Sequence, residues 1–551
     1  MSLILLTLTK VRHLNKRHSS YYSYFCNCLL NYVTSMNKNK IAILFFITAF
    51  IIFLSSCGSQ RQRVTFADIT HPKREFRGAW LSTAWQTRYR TMTTTQLKLY
   101  FLKTLDELQA DGINAVIFQA RPYADAFYKS ELEPWSAFLT GTQGVAPEGG
   151  FDPLAFLVEE CHKRNMELHA WLNPYRVSAS ENDMFAKSHI YYKYPERFVR
   201  YGGKIYFDPG IPENRKFICD VVKDIVMRYN VDAIHMDDYF YPYPIAGEAF
   251  PDGNSFNTYA KTQGFNRNQL GDWRRNNVNL LIKEVKHTLM TSKPWVRFGI
   301  SPFGIYRNKK NTPDGSGSNT NGLQNYDDLY ADVKLWVKEG WIDYNMPQIY
   351  WEIGHQLADY KTLIDWWANN NYKEHLYIGQ DVKRTMDATT QPSGANQLSE
   401  KMILSRSYAT VHGNCFWPAY ELLDNYKGVA TQLKNNYHKY PALIPAYTHM
   451  HKKNPKKVGG LQEVYTKTTH TLTWKSNADK YDPETAQYFV VYRFGKGEGE
   501  NLNNPQYIVA ITRDNKVVLP YEGGNKEYKY IVTAVDGFHN ESKGKSKKIK
   551  L

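Results

Sequence analysis

The sequence predicts a (β/α)8 TIM barrel followed by a small all-β immunoglobulin-like sandwich. Strand-like and helix-like segments alternate eight times between residues 75 and 438. The predicted strands end in polar or aromatic residues, as expected where a barrel opens at the carboxyl ends of its strands. After residue 460 the pattern changes to short strands separated by Asn, Gly and Asp clusters. A doubly wound sheet also alternates strand and helix, but eight such units favour the barrel.

The first 56 residues are predicted to be an N-terminal extension and a lipoprotein signal peptide. A basic segment precedes an apolar run over residues 41–54, and small residues follow it. This order is typical of a secretory signal, and the run of ~14 residues is short of the ~20 that a membrane span needs. Residues 54–57 (LSSC) resemble the bacterial lipobox, which implies lipid on the thiol of Cys57. An ordinary signal followed by a chance cysteine is the alternative.

The predicted elements follow a polar tether over residues 57–74. The barrel strands are expected at 76–83, 113–121, 167–175, 231–236, 297–304, 342–351, 376–382 and 414–420. The helices are expected at 95–110, 153–164, 214–229, 272–290, 330–339, 356–369, 397–410 and 428–437. A Pro- and Lys-rich linker over 439–460 leads to the sandwich at 461–551. There, Trp474 and a Tyr-rich late strand resemble a fibronectin type III domain.

Composition limits the classes of partner. The net charge of +16 is concentrated in the N-terminal forty residues and in the Lys-rich end, and no zinc-finger or RNA-binding signature accompanies it. We therefore expect no nucleic-acid partner, and the charge is compatible with an anionic membrane or cell-wall surface. The lipobox resemblance implies a location in the bacterial cell envelope, lipid-anchored to the outer membrane. Aromatic residues make up 15% of the chain, which suits a polysaccharide-handling surface. Cys161, Cys219 and Cys415 have no metal-ligand spacing and are expected to be buried free thiols.

The stretch over residues 231–244 (VDAIHMDDYFYPYP) carries the strongest chemical signal. It begins as a short buried strand and ends on two adjacent carboxylates, Asp237 and Asp238, followed by aromatic residues. Carboxylates supply the acid, base or nucleophile of glycoside hydrolysis, and aromatic rings offer flat surfaces to sugars. An aspartate pair after a strand is also a common helix cap or turn former. The stretch predicts carbohydrate chemistry, with a structural role as the alternative.

Alternation of side chains along each strand predicts which residues face the barrel interior. On strand four His235 and Asp237 share the inward face, so alternation selects Asp237 as catalytic and leaves Asp238 at the rim. Two further candidate catalytic acids are Glu352, after strand six, and Asp381, at the end of strand seven. The predicted substrate-binding residues are Gln119, Arg121, Trp171, Asn173, Tyr175, His235, Tyr239, Tyr241, Gln348, Tyr350, Trp351 and Trp417.

Several of these residues have structural alternatives. His235 is equally suited to hydrogen bonding inside the barrel, and Trp171 and Trp417 to the core. Arg121 has the alternative of pairing with a structural acid such as Asp125. Glu352 has the alternative of capping the next helix, and Asp381 that of pairing with the basic residues that follow it.

Six motifs occur in an order typical of one protein family: FRGAWLST, GINAVIFQARPYADAFY, HAWLNPYR, IHMDDYFYP, FGISPFGIYRN and MPQIYW. Together they resemble the glycosyl-hydrolase-like family 10 of bacterial secreted and lipid-anchored proteins, over roughly residues 75–435. The resemblance implies a (β/α)8 barrel with glycosidase activity on a bacterial or environmental polysaccharide, cell-wall glycan included. The inward His-x-Asp of strand four also resembles α-glycosidase barrels, which implies Asp237 as nucleophile and Glu352 as acid/base. Exchanged roles, or Asp381 as the second acid, stay open.

The leading hypothesis is a lipid-anchored glycoside hydrolase that cleaves a polysaccharide or peptidoglycan-type glycan and needs no cofactor or metal. The alternative is a glycan-binding lipoprotein on a barrel that does not catalyse, because fold alone does not establish function. A metal-dependent hydrolase using His235, Asp237 and Asp238 is disfavoured, since no His pair has ligand spacing.

Overall fold

The structure, a computed structural model, describes residues 71–390, 393–466, 469–479, 481–520 and 524–551. The predicted signal peptide, the lipidation site at Cys57 and the tether up to residue 70 lie outside these residues. No helix in the described ranges is long and apolar enough to cross a membrane. The three cysteines within them, Cys161, Cys219 and Cys415, are buried free thiols, as predicted.

The first domain is a closed barrel of eight parallel strands, which confirms the predicted fold class. In order around the barrel, β1 is followed by β2, β3, β6, β7, β8, β9 and β10. A hairpin, β4–β5, lies in the connection after β3. The strands are β1 Phe76–Leu81, β2 Ala115–Arg121, β3 Glu167–Leu172, β4 Phe198–Tyr201, β5 Lys204–Phe207, β6 Ala233–Met236, β7 Arg297–Ile300, β8 Tyr344–Asn345, β9 His375–Asp381 and β10 Val411–Trp417.

Helices surround the barrel and begin with local caps where the sequence supplies them. Thr93 and Gln96 form a capping box at the first long helix, and Asp152 caps the helix that begins at Pro153. The α-helices are α1 Thr94–Ala110, α2 Ala137–Thr140, α3 Pro153–Lys163, α4 Ile190–Lys193, α5 Pro212–Arg228, α6 Gly253–Tyr259, α7 Leu270–Ser292, α8 Asn325–Asp328, α9 Val333–Lys338, α10 Tyr360–Asn370, α11 Val382–Asp387, α12 Leu398–Ser407, α13 Ala419–Leu423 and α14 Val429–Gln432, and a π-helix follows at Leu433–Tyr437.

The second domain consists of two antiparallel sheets that share one core. Three strands form one sheet in the order β11 Gly459–Tyr465, β12 His470–Lys475 and β15 Lys516–Leu519. Four form the other in the order β14 Ile508–Thr512, β13 Tyr488–Gly495, β16 Glu527–Val535 and β17 Lys545–Lys550. Trp474 packs edge-on against Phe489 across the core, at 5.3 Å between ring centroids. The all-β domain is confirmed, while its fibronectin type III assignment stays a prediction.

A column of hydrogen-bonded polar side chains fills the barrel interior. The Tyr344 hydroxyl lies 2.8 Å from His169 Nδ1 and 3.0 Å from His235 Nδ1. At the top of the column the Trp80 indole donates to His235 Nε2, at 3.2 Å. Because an indole N–H can only donate, His235 carries its proton on Nδ1 and donates to Tyr344. Gly299 makes room for the phenol, since a Cβ there would overlap the Tyr344 ring.

The base of this column is the buried carboxylate of Glu167, at the start of β3. It accepts hydrogen bonds from His169 Nε2 at 2.9 Å and from Arg297 Nη2 at 2.6 Å. A third donor is His539 Nε2 at 2.6 Å, which comes from the sandwich. Burial alone raises the pKa of Glu167, but the charge of Arg297 and the His539 contact hold it well below its usual value. One carboxylate therefore joins two barrel strands to the second domain.

Replacing this carboxylate is expected to destabilise both domains. Glu167→Gln removes the carboxylate that pairs with the buried Arg297 guanidinium, and breaking a buried pair typically costs about 3–5 kcal/mol. Because the folded-state pKa is depressed, Glu167 stabilises the protein fully above its unfolded pKa of about 4.3, and less as pH falls. Urea unfolding at several pH values measures this, and the gap between wild type and variant should narrow towards acid.

The matched control is Glu500→Gln, which breaks the half-exposed pair between Glu500 and Lys529. An exposed pair of this kind contributes at most about 1 kcal/mol. Equal losses of unfolding free energy for the two variants would contradict the central role given to Glu167.

Candidate active site

Asp237 follows the last residue of β6 and lies buried at the carboxyl end of the barrel. Its carboxylate accepts hydrogen bonds from the Trp171 indole at 3.0 Å and from the Asn173 amide at 3.2 Å. The backbone N–H of Tyr239 donates to the other oxygen at 3.3 Å. Three residues from two neighbouring strand ends therefore fix the orientation of this side chain, as alternation along β3 and β6 predicts.

Asp238 lies beside it, equally buried, and has different partners. It accepts hydrogen bonds from the Tyr243 hydroxyl and from the Gln348 amide, the latter at 3.1 Å. The same amide of Gln348 donates to the Ser301 carbonyl at 2.8 Å. The second carboxyl is therefore held by the loop that follows β6 and by the segment that follows β8.

The two carboxyls differ in their electrostatics. Burial raises the pKa of Asp237 to about 7, and the neighbouring charge of Asp238 contributes to the increase. Burial also raises the pKa of Asp238, but the Tyr243 and Gln348 hydrogen bonds oppose that increase. A negative charge on Asp238 favours the protonated form of Asp237. Near neutral pH this pair can hold one proton and one negative charge side by side.

Arg176 is a cation at this site that the sequence prediction missed. Its guanidinium lies over the Tyr239 ring at 4.0 Å and over the Tyr123 ring at 5.4 Å. Its charge lowers the pKa of Asp237, opposing burial. Its backbone N–H donates to the Asn173 side chain at 2.9 Å. The signal was its place at the end of the HAWLNPYR motif, but alternation does not extend past Pro174.

The open carboxyl end of the barrel is called the mouth. Glu352 and Asp381 lie on another side of it, around the buried Lys401. The charges of both acids oppose the effect of burial, which lowers the pKa of Lys401 to about 7. Asp381 is the N-cap of α11 and accepts a hydrogen bond from the Arg384 backbone at 2.7 Å. The charges of Asp238 and Asp381 both raise the pKa of the phenol of Tyr350, which burial already raises. Tyr350 is therefore close enough to both acids to be affected by their charges.

The remaining predicted rings border the mouth. Trp417 meets the edge of Trp171 at 6.1 Å between centroids, and Tyr350 meets Trp80 at 6.5 Å. Tyr239 stacks on Tyr243 at 5.4 Å. Trp351 lies farther out and packs edge-on against Phe303, at 5.4 Å.

Two residues predicted to bind substrate from β2 support the site instead. A β-bulge between Gln119 and Arg121 breaks the alternation, so Arg121 turns outward. It is fully buried in a bidentate pair with Glu133, at 2.6 and 2.7 Å, and also donates to the Asn173 carbonyl. Gln119 stays inward but is occupied, because its amide oxygen accepts from the backbone of Thr83 at 2.9 Å and of Ala84 at 2.8 Å.

Three further residues predicted to contact substrate are buried below or outside the open end of the barrel. His235 belongs to the interior column, one layer below Asp237, and burial holds its pKa well below the usual value. Regular pairing of β3 ends at Leu172, so alternation does not reach Tyr175, which packs in the core outside the barrel. Tyr241 follows the turn after Asp238 and packs among Phe250 and Tyr330 in that same outer layer.

Within the described ranges there is no group of three or more His, Cys, Asp or Glu side chains that could hold a metal ion. The arrangement that these ranges do contain is an acid pair, an arginine and a border of rings at the open end of the barrel. It can protonate a leaving group and stabilise a developing positive charge, which are the requirements of glycosidic bond cleavage.

Fold and site together define a glycosidase-like barrel. The family model "Glycosyl hydrolase-like 10" matches residues 75–393. The chain belongs to this family, as the motifs predicted.

Curated relatives agree with this family. Glycosyl hydrolase YngK of Bacillus subtilis (strain 168) is 39% identical over 497 residues, covering 88% of this chain and 96% of that protein. Glycosyl hydrolase DigH of Escherichia coli (strain K12) is 37% identical over 325 residues, covering 55% of this chain and 72% of that protein.

Two solved structures are similar at low sequence identity. Alpha-L-fucosidase isoenzyme 2 from Paenibacillus thiaminolyticus has a TM-score of 0.42 and 11% identity, covering 65% of this chain and 49% of its own. The chain thus spans about half the length of that fucosidase. The PgaB (BpsB) glycoside hydrolase domain from Bordetella bronchiseptica has a TM-score of 0.39 and 10% identity, covering 66% of this chain and 98% of its own.

Asp238→Asn is expected to lower the pKa of Asp237. Removing the neighbouring negative charge removes one of the two causes that raise it. NMR titration of the Asp237 carboxyl carbon measures the shift. Asp381→Asn serves as the control, because Asp381 is not among the groups that perturb Asp237. An Asp237 pKa that stays near 7 in Asp238→Asn would contradict the coupling.

Proposed function

We propose that the protein is a lipid-anchored glycoside hydrolase that cleaves a polysaccharide or cell-wall glycan. The observation that carries the proposal is the buried pair of Asp237 and Asp238 at the carboxyl end of β6. Burial and the charge of Asp238 raise the pKa of Asp237 to about 7, whereas two side-chain hydrogen bonds oppose the increase at Asp238. Enzymes separate acid and base roles by giving two carboxyls different surroundings in this way. Membership of the glycosyl hydrolase-like 10 family supports the same chemistry.

In the proposed reaction Asp237 is the general acid. Its carboxyl O–H donates its proton to the glycosidic oxygen as the bond from that oxygen to the anomeric carbon breaks. The alcohol of the leaving sugar departs neutral, and the positive charge developing on the other sugar faces the ionised Asp238. Water then adds to the anomeric carbon, and its proton passes to a carboxylate. The α-glycosidase resemblance implied that Asp237 is the nucleophile, whereas in this proposal Asp237 is the general acid.

Trp171 and Asn173 position the acid, and the hydrogen bonds they donate stabilise its conjugate base after proton transfer. Arg176 favours the same ionised state. Glu352 remains the proposed second carboxylate, on the far side of the sugar from Asp237. Among the residues that the structure describes, none forms a hydrogen bond with its side chain. Asp381 is the weaker second candidate, because it already caps α11.

Asp237→Asn tests the hydrolase proposal. Removing the acid is expected to lower the release of reducing ends by about 100- to 10,000-fold, the usual contribution of general acid catalysis. The assay uses a panel of polysaccharides that includes peptidoglycan strands with and without peptides. The thermal unfolding midpoint should stay close to that of wild type.

The control is Asp220→Asn, whose half-exposed side chain on α5 pairs with Lys216 and which should keep full activity. If wild type releases no reducing ends from any member of the panel but binds one of them, the protein is the glycan-binding alternative. Unchanged turnover in Asp237→Asn would remove this residue from the mechanism.

The envelope location rests on residues 54–57 and has a separate test. Cys57→Ala is expected to move the protein from the membrane fraction to the soluble fraction and to abolish palmitate labelling. Ser56→Ala is the matched control. This variant should stay membrane-bound, because alanine keeps a small residue directly before the cysteine. A labelled, membrane-bound Cys57→Ala protein would contradict the lipid anchor.

A further inference from the structure

Trp85 is a large apolar residue that is exposed to solvent on the surface of the barrel. It lies in the loop after β1, and its side chain is 63% exposed. Its backbone has φ +64, a left-handed conformation that is costly for a residue other than glycine. Residues in such conformations persist where the surroundings impose them, and they concentrate at ligand-binding positions.

The surroundings that impose it come from β2. The Gln119 amide oxygen accepts the backbone N–H groups of Thr83 and Ala84, and the Thr83 hydroxyl donates to the Gln119 carbonyl at 2.8 Å. On the other side of Trp85, the Gln86 N–H closes a turn onto the Thr83 carbonyl at 3.2 Å. The loop is therefore fixed on both sides of an indole that buries little surface itself.

The indole is the outermost member of a series of rings that leads to the acid pair. Trp85 meets Tyr123 edge-on at 6.3 Å between centroids. Tyr123 lies under the Arg176 guanidinium, whose other neighbour is Tyr239, at 4.0 Å. Tyr239 directly follows Asp238 in the chain and stacks on Tyr243, whose hydroxyl donates to Asp238. Trp85 is thus continuous with the candidate active site.

The series continues beyond the acids. Tyr243 meets Phe303 at 5.9 Å, and Phe303 meets Trp351 at 5.4 Å. Phe303 follows β7, and β1 and β7 are four strands apart in the closed barrel of eight, on opposite sides of the mouth. Aromatic surfaces therefore lie on both sides of the Asp237–Asp238 pair, with Trp85 at one end.

We propose that Trp85 is a distal sugar-stacking platform, which binds a glycan residue several sugars away from the bond beside Asp237. The occupant is a chain of pyranose rings, because the surface combines flat exposed rings with a route to two carboxyls. A small glycoside would fill the mouth without reaching the indole. This proposal rests on the proposed function and specifies that the substrate is an extended glycan chain.

Binding to chains of defined length tests the proposal. The probes are chitin oligosaccharides and peptide-free peptidoglycan strands, each from disaccharide to octasaccharide, titrated calorimetrically into the Asp237→Asn protein. Adding Trp85→Ala should weaken octasaccharide binding about tenfold, which corresponds to about 1.4 kcal/mol, and leave disaccharide binding unchanged. Trp85→Phe should restore most of the loss, since it keeps an aromatic face.

Tyr372→Ala is the matched control. Tyr372 is also an exposed aromatic residue with positive φ, but it precedes β9 and so lies at the opposite end of the barrel from the mouth. Its replacement should change binding at no chain length. An equal loss at every length in Trp85→Ala, no loss at any length, or no binding of any probe by the Asp237→Asn protein would overturn the platform.

Turnover by wild type, measured on the same probes and on the polysaccharide panel, separates the two proposals. Length-dependent binding through Trp85 without any turnover would contradict the hydrolase and leave the platform standing. Turnover with a loss in Trp85→Ala that does not depend on length would contradict the platform and leave the hydrolase standing.

Discussion

The buried carboxylate of Glu167 is the interaction on which the rest of the structure depends. Polar groups inside a barrel must find partners there, because water does not replace a missing one. Glu167 satisfies Arg297 and His169 at the base, and His169, Tyr344 and His235 continue the hydrogen bonding upward. The layer above His235 is Asp237. The acid pair therefore lies one layer above a column of hydrogen-bonded side chains that begins at Glu167.

Much of this fold and part of the site could be predicted from local sequence. Composition and periodicity were enough to predict the eight strand and helix units. Alternation of side chains along β3 and β6 correctly placed Trp171, Asn173 and Asp237 together. The rule still held one residue beyond the paired strands, for Asn173 and Asp237, but it failed at a bulge and farther into the loops. A single bulge turned Arg121 outward, and the early end of β3 removed Tyr175 from the series. Alternation is a property of paired strands and carries no information about the loops beyond them.

The rest of the site depends on contacts between segments that are distant in the chain. Gln348 reaches Asp238 across 110 residues, and Arg176 comes from a different loop than the Tyr239 ring it covers. Nor could the sequence show that two adjacent aspartates have different electrostatic surroundings. Their difference arises from which neighbours donate to each, and the fold alone determines those neighbours.

The contact of His539 with Glu167 bears on how the chain can be divided. A barrel followed by a small β domain invites the view that the second part is an accessory, free to be removed or exchanged between proteins. Here the accessory contributes a donor to the innermost carboxylate of the barrel, and the segment between them is packed as well, with Tyr447 buried against Tyr377. A chain cut at residue 438 would therefore lose side chains that pack into the barrel's own interior.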